Sequence, residues 1–219
     1  MKNAKKQFLV LGLGRFGSSL AKSLAQLGHE VMAADRDDAL VQEIAPYVTQ
    51  AVQADATDEA ALDAIGVHNF DAAIVSIGTN ISDSILVSVL CKEKGVPYVV
   101  AKAVDELHAK VLRKVGVDRV VFPERDMGQR VARSLVAPNI LDLMELADDY
   151  QIAELTLPEK WQNRTIVDVN VRRNYGLSVI AIHRGAQFLA SPGAETTFAA
   201  GDVLIVLGKQ QDIDAINRS

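Results

Sequence analysis

The feature that most constrains the fold is a repeating alternation in the first half of the chain. Six short apolar runs are separated by segments whose apolar residues have helical spacing. Glycine closes four of these helical segments, as is typical of the residue that follows a helix: Gly28, Gly66, Gly95 and Gly116. Short strands alternating with helices predict an α/β fold, a doubly wound parallel six-stranded sheet with right-handed crossovers.

The individual elements follow from these runs and their boundaries. We predict strands over 8–11, 31–34, 51–54, 72–77, 98–101 and 120–122. The intervening helices are predicted over 18–27, 39–45, 58–65, 82–94 and 106–115. Thr57 is the expected N-cap of the third helix, and Pro123 is expected to end the sixth strand.

The pattern changes after Pro123. Helices are predicted over 127–136 and 140–147, followed by short strands over 152–157, 179–182, 187–190 and 203–207 and a closing helix over 212–217. This predicts three parts: a large domain over 5–123, linking helices within 124–148, and a small α+β domain over 149–219.

Composition excludes several classes of protein. A net charge of −5 and a pI of about 5.4 argue against a nucleic-acid partner. The single cysteine, Cys91, permits no internal disulfide, and its apolar surroundings indicate a buried core residue. No apolar stretch approaches the roughly 20 residues that span a bilayer. We therefore expect a soluble cytoplasmic protein that would need a separate partner for any membrane role.

The loop Gly12-Leu13-Gly14-Arg15-Phe16-Gly17 follows the first strand and opens a helix. In such a loop the glycines permit a tight turn, close approach of phosphates to the backbone, and close packing of helix and strand. Free N–H groups and the dipole at the helix N-terminus favour phosphate. Asp35 ends the next strand, where a carboxylate can accept hydrogen bonds from ribose hydroxyls. The sequence therefore predicts a nucleotide site.

Which nucleotide binds is left open by these residues. Asp35 disfavours a 2′-phosphate and hence NADP, whereas NAD, ATP, ADP and AMP all remain. Arg15 within the loop can add a bidentate phosphate contact, although a solvated surface arginine is the alternative. Further residues at predicted strand ends, where open sheets bind ligands, are Asp55, Thr57, Gly78, Thr79 and Lys102.

A catalytic set is not evident. Tyr98 and Lys102 have the spacing of a short-chain dehydrogenase pair, but a strand would separate them by about 13 Å. The four histidines lack metal-ligand or triad spacing, and His108 is the one nearest the expected nucleotide mouth. Glu124, just after the sixth strand, suits either a helix N-terminus or a cation beside phosphates. We expect no enzyme activity.

Together the motifs resemble the RCK (KTN) regulators of potassium transport. The resemblance rests on the glycine loop, Asp35 and four further segments: Ala54-Asp-Ala-Thr57, Ile74-Val-Ser-Ile-Gly78, Lys102-Ala103 and Phe122-Pro-Glu-Arg-Asp-Met-Gly128. It covers nearly the whole chain and implies a Rossmann-like RCK N-terminal domain plus a small RCK C-terminal domain. It also implies a homo-octameric ring built from dimers, docked on a KtrB-type membrane subunit at the inner face of the membrane.

The resemblance further implies that ATP favours the active state of the transporter and ADP the inactive state. Arg15 would reach the terminal phosphate, Asp35 the ribose, and Asp55 with Ala56 the adenine. Glu124 matches a cation-binding glutamate near the phosphates, for a divalent or monovalent ion. The implied nucleotide site comprises Gly12, Gly14, Arg15, Phe16, Gly17, Asp35, Arg36, Asp55, Ala56, Ile77, Gly78, Thr79, Lys102, Ala103, His108 and Glu124.

In the small domain a second ligand, cyclic di-AMP, is implied by similarity to a motif of some family members. The residues concerned are Ile166, Val167, Asn170, Arg172, Val179 and Ile180. A dimer interface without a ligand is the alternative for that surface. For the whole chain the alternative is an NAD(H)-binding Rossmann protein, either a redox sensor or a small dehydrogenase.

Overall fold

The computed structural model describes residues 5–78, 80–136, 140–147 and 149–217. The chain forms two compact units, the first extending to Glu124 and the second beginning at Arg125. Each unit has its own sheet and its own hydrophobic core.

The first unit contains six strands and five α-helices among its described residues. The strands are β1 (Gln7–Leu11), β2 (Glu30–Asp35), β3 (Gln50–Gln53), β4 (Ala72–Val75), β5 (Val99–Lys102) and β6 (Arg119–Val121). The helices are α1 (Arg15–Gln26), α2 (Asp38–Ile44), α3 (Glu59–Ala64), α4 (Ile81–Glu93) and α5 (Glu106–Lys114). All strand pairs are parallel, in the order β3-β2-β1-β4-β5-β6. The predicted doubly wound sheet is confirmed.

Alternation along the central strands builds a core on each face of this sheet. Leu9 and Leu11 of β1 pack with residues of α4 and α5, whereas Val10 packs with residues of α1 and α2. In β4 the same alternation separates Val75 from Ile74. Because both faces are covered, these strands are almost continuously apolar, as buried parallel strands require. Successive strands are added on one side of β1 up to β3 and on the other side from β4 onward, so the order of strands reverses between β1 and β4. A crevice opens at the carboxyl ends of these two strands, because the connections that follow them leave on opposite sides of the sheet.

Aspartate and asparagine side chains start most of the helices that follow the strands. Asp37, Asp58, Asn80 and Asp105 each accept a hydrogen bond from a backbone N–H in the first turn of α2, α3, α4 and α5. The predicted cap Thr57 was wrong by one residue. Thr57 instead donates its N–H and hydroxyl to Asp55, at 2.9 and 2.7 Å, in a turn before α3.

The next helix, α6 (Pro123–Val136), begins earlier than predicted. Pro123 does not only end β6, since it occupies the first helical position, where its missing N–H costs nothing. The second unit then has strands β7 (Ile140–Ala147), β8 (Tyr150–Thr156), β9 (Ser178–Arg184), β10 (Gln187–Ala190) and β11 (Val203–Lys209). Its helices are α7 (Ile166–Val169), α8 (Val171–Tyr175) and α9 (Gln210–Asn217). The strands are antiparallel, in the order β10-β9-β11-β8-β7.

Two features of the second unit differ from the sequence-based expectation. The helix predicted over 140–147 was wrong, because this segment is strand β7 and pairs with β8. Helices α7 and α8 were not predicted. They are short, α7 begins with a capping box between Thr165 and Asp168, and Asn170 separates them in the left-handed conformation at φ 51°. Fully buried Trp161, Phe198 and Leu177 belong to the core of this unit.

Candidate nucleotide-binding site

A cavity of about 300 Å³ lies at the carboxyl ends of the strands in the first unit. Loops and helix starts that follow β1, β2, β3 and β4 surround it. Its lining comprises Gly12, Gly14, Ala34, Asp35, Arg36, Asp37, Leu40, Ala54, Asp55, Ala56, Thr57, Ser76, Ile77, Gly78 and Asp83. The cavity therefore occupies the crevice at the reversal of strand order, where open α/β sheets bind ligands.

The glycine loop is folded tightly against the ends of β2 and β4. Gly12 has a φ of 96°, and its N–H donates to the Ala34 carbonyl at 2.9 Å. A Cβ on Gly17 would collide with the Gly12 carbonyl oxygen, so this position tolerates no side chain. Gly14 has open space where a Cβ would lie. The first turn of α1 carries no acidic residue, which keeps its N-terminus favourable for an anion.

Asp35 holds the glycine loop at the end of β2. One of its carboxylate oxygens accepts the Leu13 N–H at 2.6 Å, and the other accepts the Asp37 N–H at 2.9 Å. A carboxylate oxygen has more than one acceptor direction, so both remain able to accept a further hydrogen bond. Asp35 thus fixes the loop and faces the cavity at the same time.

Carboxylates are the most numerous charged groups in the cavity lining. Asp35, Asp37, Asp55 and Asp83 all line it, and Arg36 is the cationic side chain among the lining residues. A hydrogen bond from the Thr57 hydroxyl, with a second from its backbone, holds the pKa of Asp55 below its usual value. Ionised carboxylates accept hydrogen bonds but cannot donate them, so the part of the cavity next to Asp35 and Asp55 suits hydroxyl and amino groups rather than phosphates.

Two cationic side chains, Arg15 and Lys102, lie near the glycine loop without lining the cavity. The Lys102 ammonium is 2.5 Å from a Glu124 carboxylate oxygen and 3.3 Å from where a Cβ on Gly78 would lie. The hydrogen bond from Lys102 lowers the pKa of Glu124, and the charge of Arg15 lowers it further. Arg15, Lys102 and Glu124 thus form a charged group beside the glycine loop.

The predicted site residues divide into three groups. Those that line the cavity are Gly12, Gly14, Asp35, Arg36, Asp55, Ala56, Ile77 and Gly78. Arg15, Phe16 and Gly17 form the first turn of α1, with Lys102 and Glu124 nearby at the ends of β5 and the start of α6. Ala103 and His108 are buried and do not line it; burial lowers the pKa of His108. Thr79 lies outside the described residues.

Comparison with known proteins adds the family. Residues 8–123 match the TrkA-N domain and residues 151–219 the TrkA-C domain. The chain is 43% identical over 208 residues to Ktr system potassium uptake protein A of Bacillus subtilis, covering 95% of this chain and 94% of that protein. The chain is also 42% identical over 214 residues to Ktr system potassium uptake protein C of the same organism, covering 98% of this chain and 97% of that protein. The chain belongs to the TrkA/Ktr family of potassium uptake proteins.

A solved structure has the same fold. A crystal structure of the GsuK RCK domain superposes with a TM-score of 0.67 at 20% identity, over 100% of this chain and 48% of that one. At this identity the likeness concerns the fold of this TrkA/Ktr protein and not its ligand.

Six lining residues were not predicted, and a seventh, Thr57, was predicted only as a polar residue at a strand end. Ala34 and Ala54 are the last residues of the predicted second and third strands, and Ser76 lies near the end of the predicted fourth strand. Their position along the chain could therefore have indicated them. Asp37 and Thr57 lie in the turns that follow β2 and β3. Leu40 and Asp83 come from the first turns of α2 and α4, and no sequence signal indicates which face of those helices meets the cavity.

The six residues assigned to a second ligand lie on α7, α8 and β9 and on the residue between the two helices. Ile166 and Val179 are half-buried and pack against the core of the second unit. Val167 and Ile180 are exposed, at 51% and 37%. Arg172 and Asn170 are also exposed. The first pair therefore supports the fold, whereas the other four are available at the surface of this chain.

Three further observations concern the described residues of this TrkA/Ktr protein. None of their helices combines the length and hydrophobicity needed to cross a membrane. No three His, Cys, Asp or Glu side chains among them are grouped so as to hold a metal ion. Tyr98 immediately precedes β5, and Lys102 ends that strand, so the two do not share a helical turn.

Proposed function

We propose that the chain is the gating subunit of a potassium transporter, in which ATP and ADP compete for the cavity of the first unit. The observation that carries the proposal is the cavity itself, which is lined by a glycine loop and a ribose-type carboxylate and lies beside the cationic side chains of Arg15 and Lys102, in a chain of the TrkA/Ktr family. ATP would set the KtrB-type membrane subunit to its active state and ADP to its inactive state.

The adenosine end of the ligand fits the part of the cavity next to Asp35 and Asp55. The ribose hydroxyls would donate to Asp35, whose oxygens keep free acceptor directions after binding Leu13 and Asp37. Adenine would lie between Asp55, Ala56 and Ile77, where its amino group meets an acceptor and its faces meet apolar side chains. Arg36 would complete this end, close enough to Asp55 to lower the pKa of that carboxyl.

The phosphate end fits the start of α1. Backbone N–H groups of the loop would bind the inner phosphates, since Gly14 leaves open space above the backbone. Arg15 and Lys102 would bind the terminal phosphate, and this contact would distinguish ATP from ADP. Ala103 and His108, both buried, would support this end rather than touch the ligand.

A cation would join the terminal phosphate at Glu124. Lys102 now pairs with that carboxylate, so a bound cation has to replace the ammonium. A terminal phosphate gives Lys102 another anionic partner and thereby releases Glu124 for the cation. Either a divalent or a monovalent ion would be accepted, since a single carboxylate and phosphate oxygens suit both.

The switch follows from population shift. Because a ligand with equal affinity for two states shifts nothing, ATP must bind the active assembly better than the inactive one, and ADP must bind the inactive assembly better than the active one. We propose a homo-octameric ring built from dimers, placed on the cytoplasmic face of the membrane by its membrane subunit. The second unit would bind cyclic di-AMP across a dimer, with Val167 and Ile180 against the bases and Arg172 near the phosphates. Exposure of these three side chains supports that assignment.

Competitive titration of the purified full chain with ATP, ADP, NAD⁺ and NADH tests the proposal. We expect ATP and ADP to bind with a clear preference over NADH, and ATP to change the assembly state. A preference for NADH without an ATP-dependent change would instead favour a redox sensor or a small dehydrogenase. In the same assay Arg15→Ala should weaken ATP binding more than binding of AMP, which serves as the control ligand because it lacks the terminal phosphates. Equal losses of affinity for ATP and AMP would contradict the role of Arg15.

A further inference from the structure

Ser76 occupies a central position that the nucleotide assignments above leave out. It directly follows β4, and its N–H donates to the Leu11 carbonyl of β1 at 2.8 Å. Strand order reverses between these two strands, so Ser76 lies at the base of the crevice. The residue lines the cavity yet is only 7% exposed.

The side chain of Ser76 lies beneath the first turn of α1. Two residues earlier in β4, Ile74 packs with Ala21 of α1, and strand alternation places Ser76 on the same face of the sheet. The hydroxyl oxygen is 2.8 Å from where a Cβ on Gly17 would lie, and the Ser76 carbonyl carbon is 3.1 Å from where a Cβ on Gly12 would lie. Ser76 therefore touches the loop at both its first and its last glycine.

The Ser76 hydroxyl has no hydrogen-bond partner among the described residues. A buried hydroxyl without a partner is unfavourable, so such groups call for an explanation. Three other buried side-chain atoms share this condition, in Ser84, His108 and Trp161, but none of those residues lines the cavity. Ser76 is thus the one of the four whose missing acceptor a ligand in the cavity could supply.

We infer that Ser76 belongs to the phosphate side of the nucleotide site, and that its hydroxyl donates to a phosphate oxygen of the bound nucleotide, directly or through one water. Rotation about the Cα–Cβ bond between staggered positions is enough to redirect the hydroxyl, which carries both a donor and acceptors. This inference rests on the proposed nucleotide site. It makes Ser76 a residue that raises affinity for phosphorylated ligands and leaves affinity for adenosine unchanged.

Ser76→Ala tests the inference, with Ser84→Ala as the matched control. Ser84, on α4, also has a buried, unpartnered hydroxyl, but it does not line the cavity. Both variants should melt at or above the temperature of the wild type, since each removes an unsatisfied hydroxyl. In calorimetric titrations Ser76→Ala should bind ADP about tenfold more weakly, as expected for one lost hydrogen bond to a charged group, whereas Ser84→Ala should bind it normally.

Affinity for adenosine should be the same in all three proteins. The inference is overturned if Ser76→Ala binds ADP as tightly as Ser84→Ala does, or if adenosine and ADP lose affinity equally. Its failure differs from that of the proposed function, which fails when the wild type prefers NADH. In that case Ser76→Ala must still weaken NADH, because the pyrophosphate of a dinucleotide passes the same loop.

Discussion

The Lys102 ammonium lies 2.5 Å from a carboxylate oxygen of Glu124, and this ion pair connects the end of β5 to the first turn of α6. Lys102 is mostly buried, with 14% of its side chain exposed, whereas Glu124 is 61% exposed. Glu124 follows Pro123 at the start of the helix, where a carboxylate is favourable. The helix-terminal and the phosphate-linked interpretations of Glu124 are therefore compatible, since one position serves both.

Replacing Glu124 should separate stability from ligand response. Because the Glu124 side chain of the ion pair is largely exposed, Glu124→Gln should change the free energy of unfolding by no more than about 1 kcal/mol. The lowered pKa of Glu124 keeps the pair intact at neutral pH, and the pair is lost only as the pH falls through that lowered pKa. ATP titrations with and without Mg²⁺ should show cation enhancement for the wild type and none for the variant. An unchanged enhancement would contradict the cation site.

Two glycines of the loop should fail in different ways when changed to alanine. Gly17→Ala brings a Cβ into the Gly12 carbonyl oxygen, so we expect a loss of about 1–3 kcal/mol in unfolding free energy. Gly14 has a φ of −62° and open space at its Cβ position, so Gly14→Ala should fold normally but bind nucleotide more weakly. Denaturant melts and ADP titrations of both variants check this. Normal ADP binding by Gly14→Ala would argue against phosphates at that backbone.

Cys91 should be chemically silent in the native protein. It is fully buried in the core of the first unit, and burial raises the pKa of its thiol from 9.0 to about 12. A thiol reagent should therefore modify the chain only after unfolding. Because the native pKa lies above the unfolded value of 9.0, the thiol has no effect on the free energy of unfolding below pH 9. Above pH 9 the unfolded chain loses the thiol proton more readily than the native protein does, so the free energy of unfolding declines by up to about 1.4 kcal/mol per pH unit. Cys91→Ala should remove that part of the alkaline decline; rapid native labelling would show that the site is accessible.

We expect Asp202 to contribute to the stability of the second unit. It is buried, accepts two hydrogen bonds from Arg184 and one from the Ala199 N–H, all at 2.8 Å, and its pKa is lowered chiefly by Arg184. Asp202→Ala should cost roughly 2–3 kcal/mol, less than a fully buried pair because Arg184 is partly exposed. The stabilisation is present above pH 3.8 and is lost as the pH falls through the lowered pKa.

Trp161 reports this effect directly, because it is the only tryptophan and is buried in the core of the second unit. Its ring lies 4.8 Å from that of Tyr175 and 5.9 Å from that of Phe198. Fluorescence melts should show a lower midpoint for Asp202→Ala and no change for the exposed Glu195→Ala. Equal midpoints for the two variants would show that the Arg184 pair contributes little.

The strands and helices of the first unit could be predicted from the sequence because their signals are local. Continuous apolar runs and closing glycines marked the strands and helices, and the carboxyl ends of those strands contain most of the cavity lining. Asp83 could not be found in this way, because its place depends on how α4 is rotated about its axis. His108 was expected near the ligand from its position after β5, but packing turns its side chain into the interior.

The segment 140–147 shows how tertiary pairing overrides a local pattern. Its apolar residues fit helical spacing, yet the segment pairs with strand β8 from Ile140 to Ala147, with two irregularities in the register. Ile140 is buried and Leu143 packs against the core, while Met144 and Leu146 are exposed. Helices α7 and α8 were too short for periodicity to reveal, although the Thr165–Asp168 capping box was a signal for the first of them.

Potassium flux into vesicles that contain the KtrB-type membrane subunit, with this chain and either ATP or ADP at the cytoplasmic side, tests the central claim most directly. We expect ATP to raise the flux above that with ADP, and Arg15→Ala to abolish most of this difference while the variant still binds AMP. Equal flux with ATP and ADP for the wild type, under conditions where both nucleotides saturate the chain, would contradict the account.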